Sequence, residues 1–167
     1  MFYSPFAILR TSLKKGQHMK IHCSIDIQRP TTYIFPWLAE PGKSMLWQKE
    51  VTGGKTLERK PGIVGTTFTE TIAEKGSSLE LRGSITSYVL NRKIAFYLES
   101  RIHAMDVVYA LHEISGGSRL DVDADIRLRF PVSVLNALSF GGMARSLTRK
   151  MDAELIELRR LCGSEQS

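Results

Sequence analysis

The sequence contains few cysteines and no long apolar run. Only two cysteines occur in 167 residues, Cys23 and Cys162, and they stand near opposite ends of the chain without a CxxC spacing. A disulfide framework or a structural zinc site needs more cysteines at closer spacing, so we expect neither. No stretch approaches the ~20 consecutive apolar residues of a membrane-spanning helix, which argues against integral membrane association.

Concentrated charge is also missing. The formal net charge is +6, but three basic residues, Arg10, Lys14 and Lys15, lie within the first 18 residues, where no acidic residue occurs. Elsewhere the basic residues alternate with acidic ones and form no block interleaved with aromatics. We therefore predict that the chain has no nucleic-acid partner.

Recognisable catalytic motifs are equally scarce. His22, His103 and His112 are far apart in sequence and lack the spacing of a metal site, and no serine stands in a nucleophile-elbow context. The sequence therefore predicts neither a metal ion nor a cofactor.

The composition fits one globular domain, with 43% hydrophobic and 24% charged residues. We place this domain at residues 19–163, after an extension at 1–18 that we predict to be disordered, and before a tail at 164–167. In residues 1–18 the apolar residues precede the basic ones, the reverse of a signal peptide. An upstream start codon or a floppy extension, with Met19 beginning the folded domain, is therefore favoured over a targeting or surface-binding segment, and we expect a cytoplasmic protein.

Alternating apolar and polar residues predict one strand near the start and six more after a helical insertion. Residues 20–27 alternate strictly, and the spacing of Tyr33, Ile34, Trp37 and Leu38 after Pro30 predicts a helix. A second short helical turn is predicted at 45–49. Further strands are predicted at 51–58, 66–73, 79–86, 94–98, 105–111 and 120–128.

The C-terminal segment after Pro131 carries an apolar stripe at helical spacing, which predicts one long helix packed on the sheet. The stripe consists of Phe140, Met143, Leu147, Met151, Leu155, Leu158 and Cys162. Charged residues such as Lys150 are placed away from it. Because each glycine lowers helix stability by about 1 kcal/mol relative to alanine, we expect a kink or break at Gly141-Gly142. The pair would serve as a hinge or allow close backbone packing.

This order of elements resembles the START-like superfamily, also described as the Bet v 1-like helix-grip or SRPBCC fold, and within it the polyketide cyclase/dehydrase and lipid-transport branch. The residues that carry the resemblance are 25–30, 34–38, Trp47, 62–68, 90–96, 109–111 and 116–120. The resemblance implies an α+β helix-grip fold in which a curved antiparallel sheet of six to seven strands wraps around a long C-terminal helix, with two short helices after the first strand. It also implies a hydrophobic cavity between sheet and helix.

The covered face of the sheet supplies the predicted cavity lining. The predicted lining residues are Trp37, Phe68, Glu70, Leu81, Ile85, Phe96, Tyr109, Leu111, Leu128, Met143, Leu147 and Met151. Most of these would serve equally well as ordinary core residues. A pocket for a small ligand is typically apolar with a few polar groups.

Glu70 and Tyr109 are the two polar candidates on that face. Glu70 shares the parity of Phe68 and Ile72, so its carboxylate would point inward and serve as a polar ligand contact or a general acid/base. The alternative is a strand-end carboxylate that reaches solvent or pairs with an arginine. Tyr109 would donate a hydrogen bond to a ligand carbonyl, or be a core aromatic bonded to a backbone carbonyl.

Three functions follow from these features. The favoured one is the binding, or transport, of a small hydrophobic or lipid-like molecule, by a monomer or homodimer. The second is a cyclase- or dehydratase-like enzyme with Glu70 and Tyr109 as its catalytic groups. The third is an accessory interaction module without a ligand. The sequence does not decide whether the chain is an enzyme, because the implied fold supports binding and catalysis alike.

Overall fold

A seven-stranded antiparallel sheet and one long helix account for most of the chain. In the computed structural model, the described residues are 18–40, 42–74, 76–129 and 137–164. The elements in chain order are β1 (His18–Ile27), α1 (Thr31–Ala39), α2 (Ser44–Trp47), β2 (Val51–Glu58), β3 (Thr67–Glu74), β4 (Ser77–Val89), β5 (Lys93–Glu99), β6 (His103–Ile114), β7 (Gly117–Leu128) and α3 (Ala137–Ser164). The predicted extension at 1–18 lies outside the described residues except for His18.

The strand order across the sheet is β1-β7-β6-β5-β4-β3-β2, and every neighbouring pair is antiparallel. β2 to β7 form a meander, whereas β1 returns beside β7, with Cys23 opposite Val122. The predicted helix-grip architecture, with two short helices after the first strand, is confirmed.

The turns occur where the sequence predicts them. Asn91 and Gly116 both adopt left-handed backbone conformations, with φ of 60° and 81°. Asparagine and glycine tolerate this region better than other residues, so they suit the tight turns between β4 and β5 and between β6 and β7.

One bulge changes which side chains of β4 face the helices. The pairing with β5 shifts register between Ile85 and Ser87, so two residues of β4 oppose one of β5. Tyr88 then faces the core and meets Phe35 of α1 edge to face, with ring centroids 5.4 Å apart. A strict alternation continued from Ile85 would instead have placed Tyr88 on the outer face.

The two short helices cover one part of the sheet. In α1, Ile34 and Phe35 are almost fully buried, and Pro30 occupies the position before the first turn. In α2, Trp47 is buried and its Nε1 donates a hydrogen bond to the carbonyl of Trp37, at 3.2 Å. This bond fixes α2 against α1 and directs Trp47 inward.

The expected break at Gly141-Gly142 is wrong, because α3 runs without interruption from Ala137 to Ser164. Close backbone packing is also excluded within the described residues, since a Cβ added at either glycine meets no atom within 4 Å. Glycine can form the backbone hydrogen bonds of a helix as other residues do. The helix continues because packing of the apolar stripe outweighs the lower helix propensity of the two glycines. Pro131 and the side chain of Phe140 lie outside the described residues.

The sheet and α3 together have two unequally covered halves. We call β1, β7 and β6 with residues 155–162 of α3 the closed half; the backbone of α3 lies closest to β1. Ten of its core side chains are at most 4% exposed: Ile21, Cys23, Ile27, Leu111, Leu120, Val122, Ala124, Leu155, Leu158 and Cys162. Burying each leucine or isoleucine contributes about 1.5–3 kcal/mol.

We call β2, β3 and β4 with residues 143–151 of α3 the open half. Its inward apolar side chains are mostly only half-buried: Phe68, Ile72, Leu79, Ile85, Met143, Leu147 and Met151. Leu81, at 1% exposure, is the exception. The open half is therefore the part of the concave face whose apolar side chains remain partly exposed.

Candidate functional site

A row of aromatic side chains crosses the concave face from α2 to β3. Trp47 meets Tyr109 with ring centroids 6.2 Å apart, Tyr109 meets Phe96 at 6.1 Å, and Phe96 meets Phe68 at 5.7 Å. All three contacts are edge to face, the arrangement that the aromatic quadrupole favours. The row leads from the closed half to the open half and forms an apolar wall for the site.

Phe68 occupies its place because residue 83 has no side chain. Phe68 and Gly83 are direct cross-strand partners of β3 and β4. A Cβ built at Gly83 would lie 2.4 Å from Cζ of Phe68, so the tip of the ring occupies the space that a side chain at residue 83 would need. Gly83 therefore helps to define the wall of the site, although the sequence pattern alone does not indicate it.

Tyr109 stands in the middle of this row and is only 9% exposed. Its hydroxyl oxygen accepts a hydrogen bond from Nε2 of Gln48, at 3.3 Å. Because Gln48 is the donor, the phenol hydrogen of Tyr109 is left to donate to another group. Burial, reinforced by the charges of Glu154 and Glu70, raises the pKa of Tyr109 above its usual range, while the bond from Gln48 opposes this rise. Tyr109 is thus a neutral hydrogen-bond donor at physiological pH.

Glu70 lies on the inner face of β3, opposite Leu81 of β4 and Gly54 of β2. It is partly buried, and burial raises the pKa of its carboxyl group above the usual value. Within the described residues Glu70 forms no ion pair, so no arginine neutralises it. A carboxyl group in this position accepts or donates a proton more readily near neutral pH than an exposed one.

Glu154 of α3 is a third polar group of the site, and the sequence analysis missed it. Burial, together with the charge of Glu50, raises the pKa of Glu154 to about 7, against the opposing effect of Lys150. Lys150, one helical turn before it, pairs with Glu50, which follows α2. The side chain of Lys150 is 39% exposed, so its ion pair with Glu50 is accessible to solvent.

The spacing of Glu154 is the signal that would have found it. Glu154 follows Met151 by three residues and precedes Leu158 by four, so it shares the face of the apolar stripe. A carboxylate within such a stripe is costly to bury and marks a polar position on an otherwise apolar surface. No sequence pattern indicates Gln48 in this way, because its contact with Tyr109 depends on how α2 packs against the sheet.

The other predicted lining residues differ in how deeply they are buried. Leu81 and Leu111 are completely buried. Trp37 is also buried, in α1, where Nζ of Lys43 lies 5.4 Å from its ring centroid. Half-buried positions are taken by Phe68, Ile85, Phe96, Leu128, Met143, Leu147 and Met151. The half-buried members are the ones with surface left to contact a ligand.

The cysteines and histidines take no part in this site. Cys23 and Cys162 are both buried and form no disulfide with each other, and burial with the nearby Asp152 raises the pKa of Cys23 to about 12. A thiol with this pKa is protonated and a poor nucleophile. His22 and His112 lie on the outer face, paired with Asp123 and Asp121.

Two open surface grooves lie outside the concave face. The larger, about 330 Å³, runs between the β6–β7 turn and the segment around Arg29. The smaller, about 180 Å³, lies beside Arg82, Glu99 and Arg129. Both are shallow and lack the inward polar groups described above. Within the described part of the chain, no helix combines the length and apolarity needed to cross a membrane.

Comparison with solved structures shows a widespread fold. A START superfamily protein from Mycobacterium smegmatis aligns with a TM-score of 0.65 at 14% identity, over 84% of this chain and 99% of that one. Ara h 8.0201 aligns with a TM-score of 0.68 at 13% identity, over 89% of this chain and 100% of that one. The chain has the START-like helix-grip fold.

A third similar structure is the di-domain ARO/CYC StfQ from the steffimycin biosynthetic pathway. It aligns with a TM-score of 0.69 at 14% identity, over 87% of this chain and 49% of StfQ. No family model matches the sequence, and no curated protein is similar enough to match it. At these low sequence identities the similarity is one of fold, and the chemistry of the site depends on the residues of this chain.

Proposed function

We propose that the chain binds a small hydrophobic or lipid-like molecule between the sheet and α3, in the open half of the concave face. One observation carries the proposal: Glu70 and Glu154 lie close enough to Tyr109 for their charges to raise its pKa, so three polar groups stand where the closed half meets the otherwise apolar open half. Ligand sites typically combine an apolar wall with a few convergent polar groups of this kind.

The arrangement also indicates how the ligand lies. Its apolar part would contact Phe68, Ile85 and the methionines of α3, whose flexible side chains adapt to different shapes. Its polar end would lie beside Tyr109, where the free phenol hydrogen donates to a carbonyl or hydroxyl oxygen. Two carboxyl groups nearby disfavour an anionic ligand group at this position, so a neutral polar end is expected.

The test measures binding of N-phenyl-1-naphthylamine, a neutral apolar fluorescent probe, to two tryptophan variants of the same strand. Ile85→Trp fills the open half, and we expect it to weaken probe binding at least about tenfold. Thr86→Trp is the matched control, because Thr86 is exposed to solvent and its replacement should leave binding unchanged. Equal probe affinity in both variants would refute a site on the concave face.

Native mass spectrometry of the purified chain addresses the natural ligand. If the native protein is heavier than the polypeptide and the excess mass disappears on denaturation, that excess is the mass of a bound ligand and indicates its chemical class. The same extra mass retained in Ile85→Trp would place that ligand elsewhere on the protein.

A second function, enzymatic proton transfer, is supported by the pKa of Glu154 near neutrality beside a neutral tyrosine. In such a reaction a carboxylate, Glu154 or Glu70, removes a proton from the carbon next to a carbonyl. The bonding electrons form an enolate, whose oxygen accepts the hydrogen bond from Tyr109. This is the elementary step of a cyclase- or dehydratase-like reaction.

This second function is tested by the exchange of carbon-bound hydrogen for deuterium in a β-diketone such as 1-phenylbutane-1,3-dione. We expect Tyr109→Phe and the pair Glu70→Gln/Glu154→Gln each to reduce the exchange rate about 100-fold, within the range for loss of a general base or oxyanion donor. Glu157→Gln is the control, because the Glu157 carboxylate pairs with Arg160. Exchange by the wild type no faster than in buffer would exclude catalysis of this step and leave the binding function standing.

A further inference from the structure

Exposed apolar side chains cluster at one end of the sheet. Among the described residues, eight large hydrophobic side chains are exposed, and five of them belong to residues 57–66 and 88–93. We call these two segments, the β2–β3 loop and the β4–β5 turn, the loop-tip surface. Its five exposed apolar residues are Leu57, Ile63, Val64, Val89 and Leu90, with exposures between 36% and 64%. Scattered exposed leucines are ordinary, but a cluster of this size on adjacent turns points to an interaction site.

Backbone hydrogen bonds hold both segments at the same end of the sheet. The amide of Gly65 donates to the carbonyl of Ile85 at 2.8 Å, and the amide of Ile85 donates to the carbonyl of Thr66 at 3.0 Å. The carbonyl of Arg92 accepts from the amide of Leu111 at 2.7 Å, which ties the β4–β5 turn to β6. The loop-tip surface is therefore a fixed part of the fold.

The backbone of Ile63 is unusual. Its φ is 67°, a left-handed conformation that is costly for a β-branched residue and that glycine would adopt without strain. Three bonds of the loop surround it: Ile63 to Lys60, Val64 to Gly62 and Thr66 to Ile63. An isoleucine kept exposed in a strained conformation suggests that its side chain serves a purpose other than stability.

The charges beside these apolar residues identify the kind of partner. Arg59, Lys60, Arg92 and Lys93 all lie on the loop-tip surface, which carries a single acidic residue, Glu58. Glu58 pairs with Lys60, whereas Arg59 and Arg92 are exposed and form no ion pair within the described residues. Apolar tips next to basic side chains match the boundary between acyl chains and anionic headgroups of a lipid bilayer.

We propose that the loop-tip surface docks on an anionic membrane surface. Leu57, Ile63, Val64, Val89 and Leu90 would enter the headgroup region, and the basic side chains would contact anionic lipid phosphates. This inference is independent of the proposed ligand, because none of these residues lies on the concave face.

The experiment is flotation of the full chain with vesicles of phosphatidylcholine alone or mixed with phosphatidylglycerol. We expect binding to the mixed vesicles, much weaker binding to the neutral ones, and loss of binding at high salt. The double variant Val64→Ser/Leu90→Ser should weaken binding about tenfold through lost apolar contact. Arg59→Gln/Arg92→Gln should weaken it about twentyfold through lost attraction to anionic lipid.

Two further variants separate this role from effects on folding. Leu46→Ser/Ile156→Ser removes equally exposed apolar side chains elsewhere, so its vesicle binding should equal that of the wild type. Ile63→Gly relieves the left-handed backbone, so its melting temperature should be equal or higher while vesicle binding falls about fivefold.

Several outcomes would overturn the proposal. One is that the wild type binds neither kind of vesicle, which is the result expected if the loop-tip surface binds a protein partner instead. Equal binding to neutral and anionic vesicles is another. A third is unchanged binding in both loop-tip double variants, which would assign the vesicle contact to another part of the chain.

Discussion

The closed and open halves of the concave face are built from the same strand pattern but are covered to different extents. Inward residues of β7 such as Leu120 and Val122 are inaccessible to solvent, whereas Phe68 and Ile72 of β3 are only partly buried. The difference arises because the backbone of α3 lies closest to β1 and also meets α1 and α2. One half of this face is therefore tightly packed, while the other keeps partly exposed apolar side chains.

The sharpest test of this comparison uses two leucines of the same helix. Leu158→Ala, in the closed half, should lower the free energy of unfolding by about 3–4 kcal/mol through lost burial and a residual cavity. Leu147→Ala, in the open half, should cost only about 1 kcal/mol, because Leu147 is already half-exposed. Urea denaturation of both variants measures the difference. Equal losses would mean that the two halves are equally well packed.

The pH dependence of stability tests the polar border of the open half. The pKa of Glu154 is raised from an ordinary value of 4.5 to about 7 in the folded state, so the native chain binds more protons than the unfolded chain between these pH values. Its contribution to stability is therefore lost as pH rises through this window. Because part of the side chain reaches solvent, we expect a loss of about 1–2 kcal/mol.

Glu154→Gln should remove this pH-dependent loss and make the protein more stable than the wild type at pH 7. Chemical denaturation at several pH values between 4.5 and 7.5 measures it. Glu157→Gln is the control, since the pKa of Glu157 is lowered by Arg160 and should not contribute a loss of this sign. A wild-type stability that rises steadily over this range would contradict the buried position of Glu154.

A smaller effect is expected from Gly83→Ala in the wall of the open half. The added methyl group displaces the ring of Phe68, which is the movable end of a side chain, so the cost should be about 1 kcal/mol. The ring should also shift away from Phe96, which changes the aromatic resonances of both residues in NMR spectra. Unchanged resonances would show that Phe68 does not lie over Gly83.

The smallest effect, and one of opposite sign, is expected from Gly141→Ala. An added Cβ at this exposed position of α3 meets no described atom within 4 Å. The variant should gain about 0.5–1 kcal/mol from helix propensity alone. A loss of stability, measured by thermal denaturation, would indicate that Gly141 packs closely against another part of the chain.

Much of the fold could be predicted because strand alternation is a local signal. The inward face of β7, with Leu120 and Val122, follows from the period of two alone. The bulge between Ile85 and Ser87 could not be predicted in this way, since it depends on pairing with β5. The continuity of α3 through Gly141 was not predicted, because the low helix propensity of glycine was considered without the packing that stabilises the rest of the helix.

The candidate site could be predicted only in part. Glu70 and Tyr109 follow from strand parity, and the structure places both beside the half-covered face. Glu154 was missed because the helical stripe was assembled from apolar residues only. Gln48 could not be found, because its contact with Tyr109 joins segments 61 residues apart.

The sequence by itself determined the order of elements and the inward face of each strand, because side-chain alternation and helical spacing act between near neighbours. Only the tertiary structure decided how far α3 covers that face and which polar groups meet there. Those properties depend on where the helix crosses the sheet, and this crossing is set by the sum of many long-range contacts. The result is a tightly packed closed half and a less covered open half, with Tyr109 and Glu154 at the border between them and Glu70 on the inner face of β3.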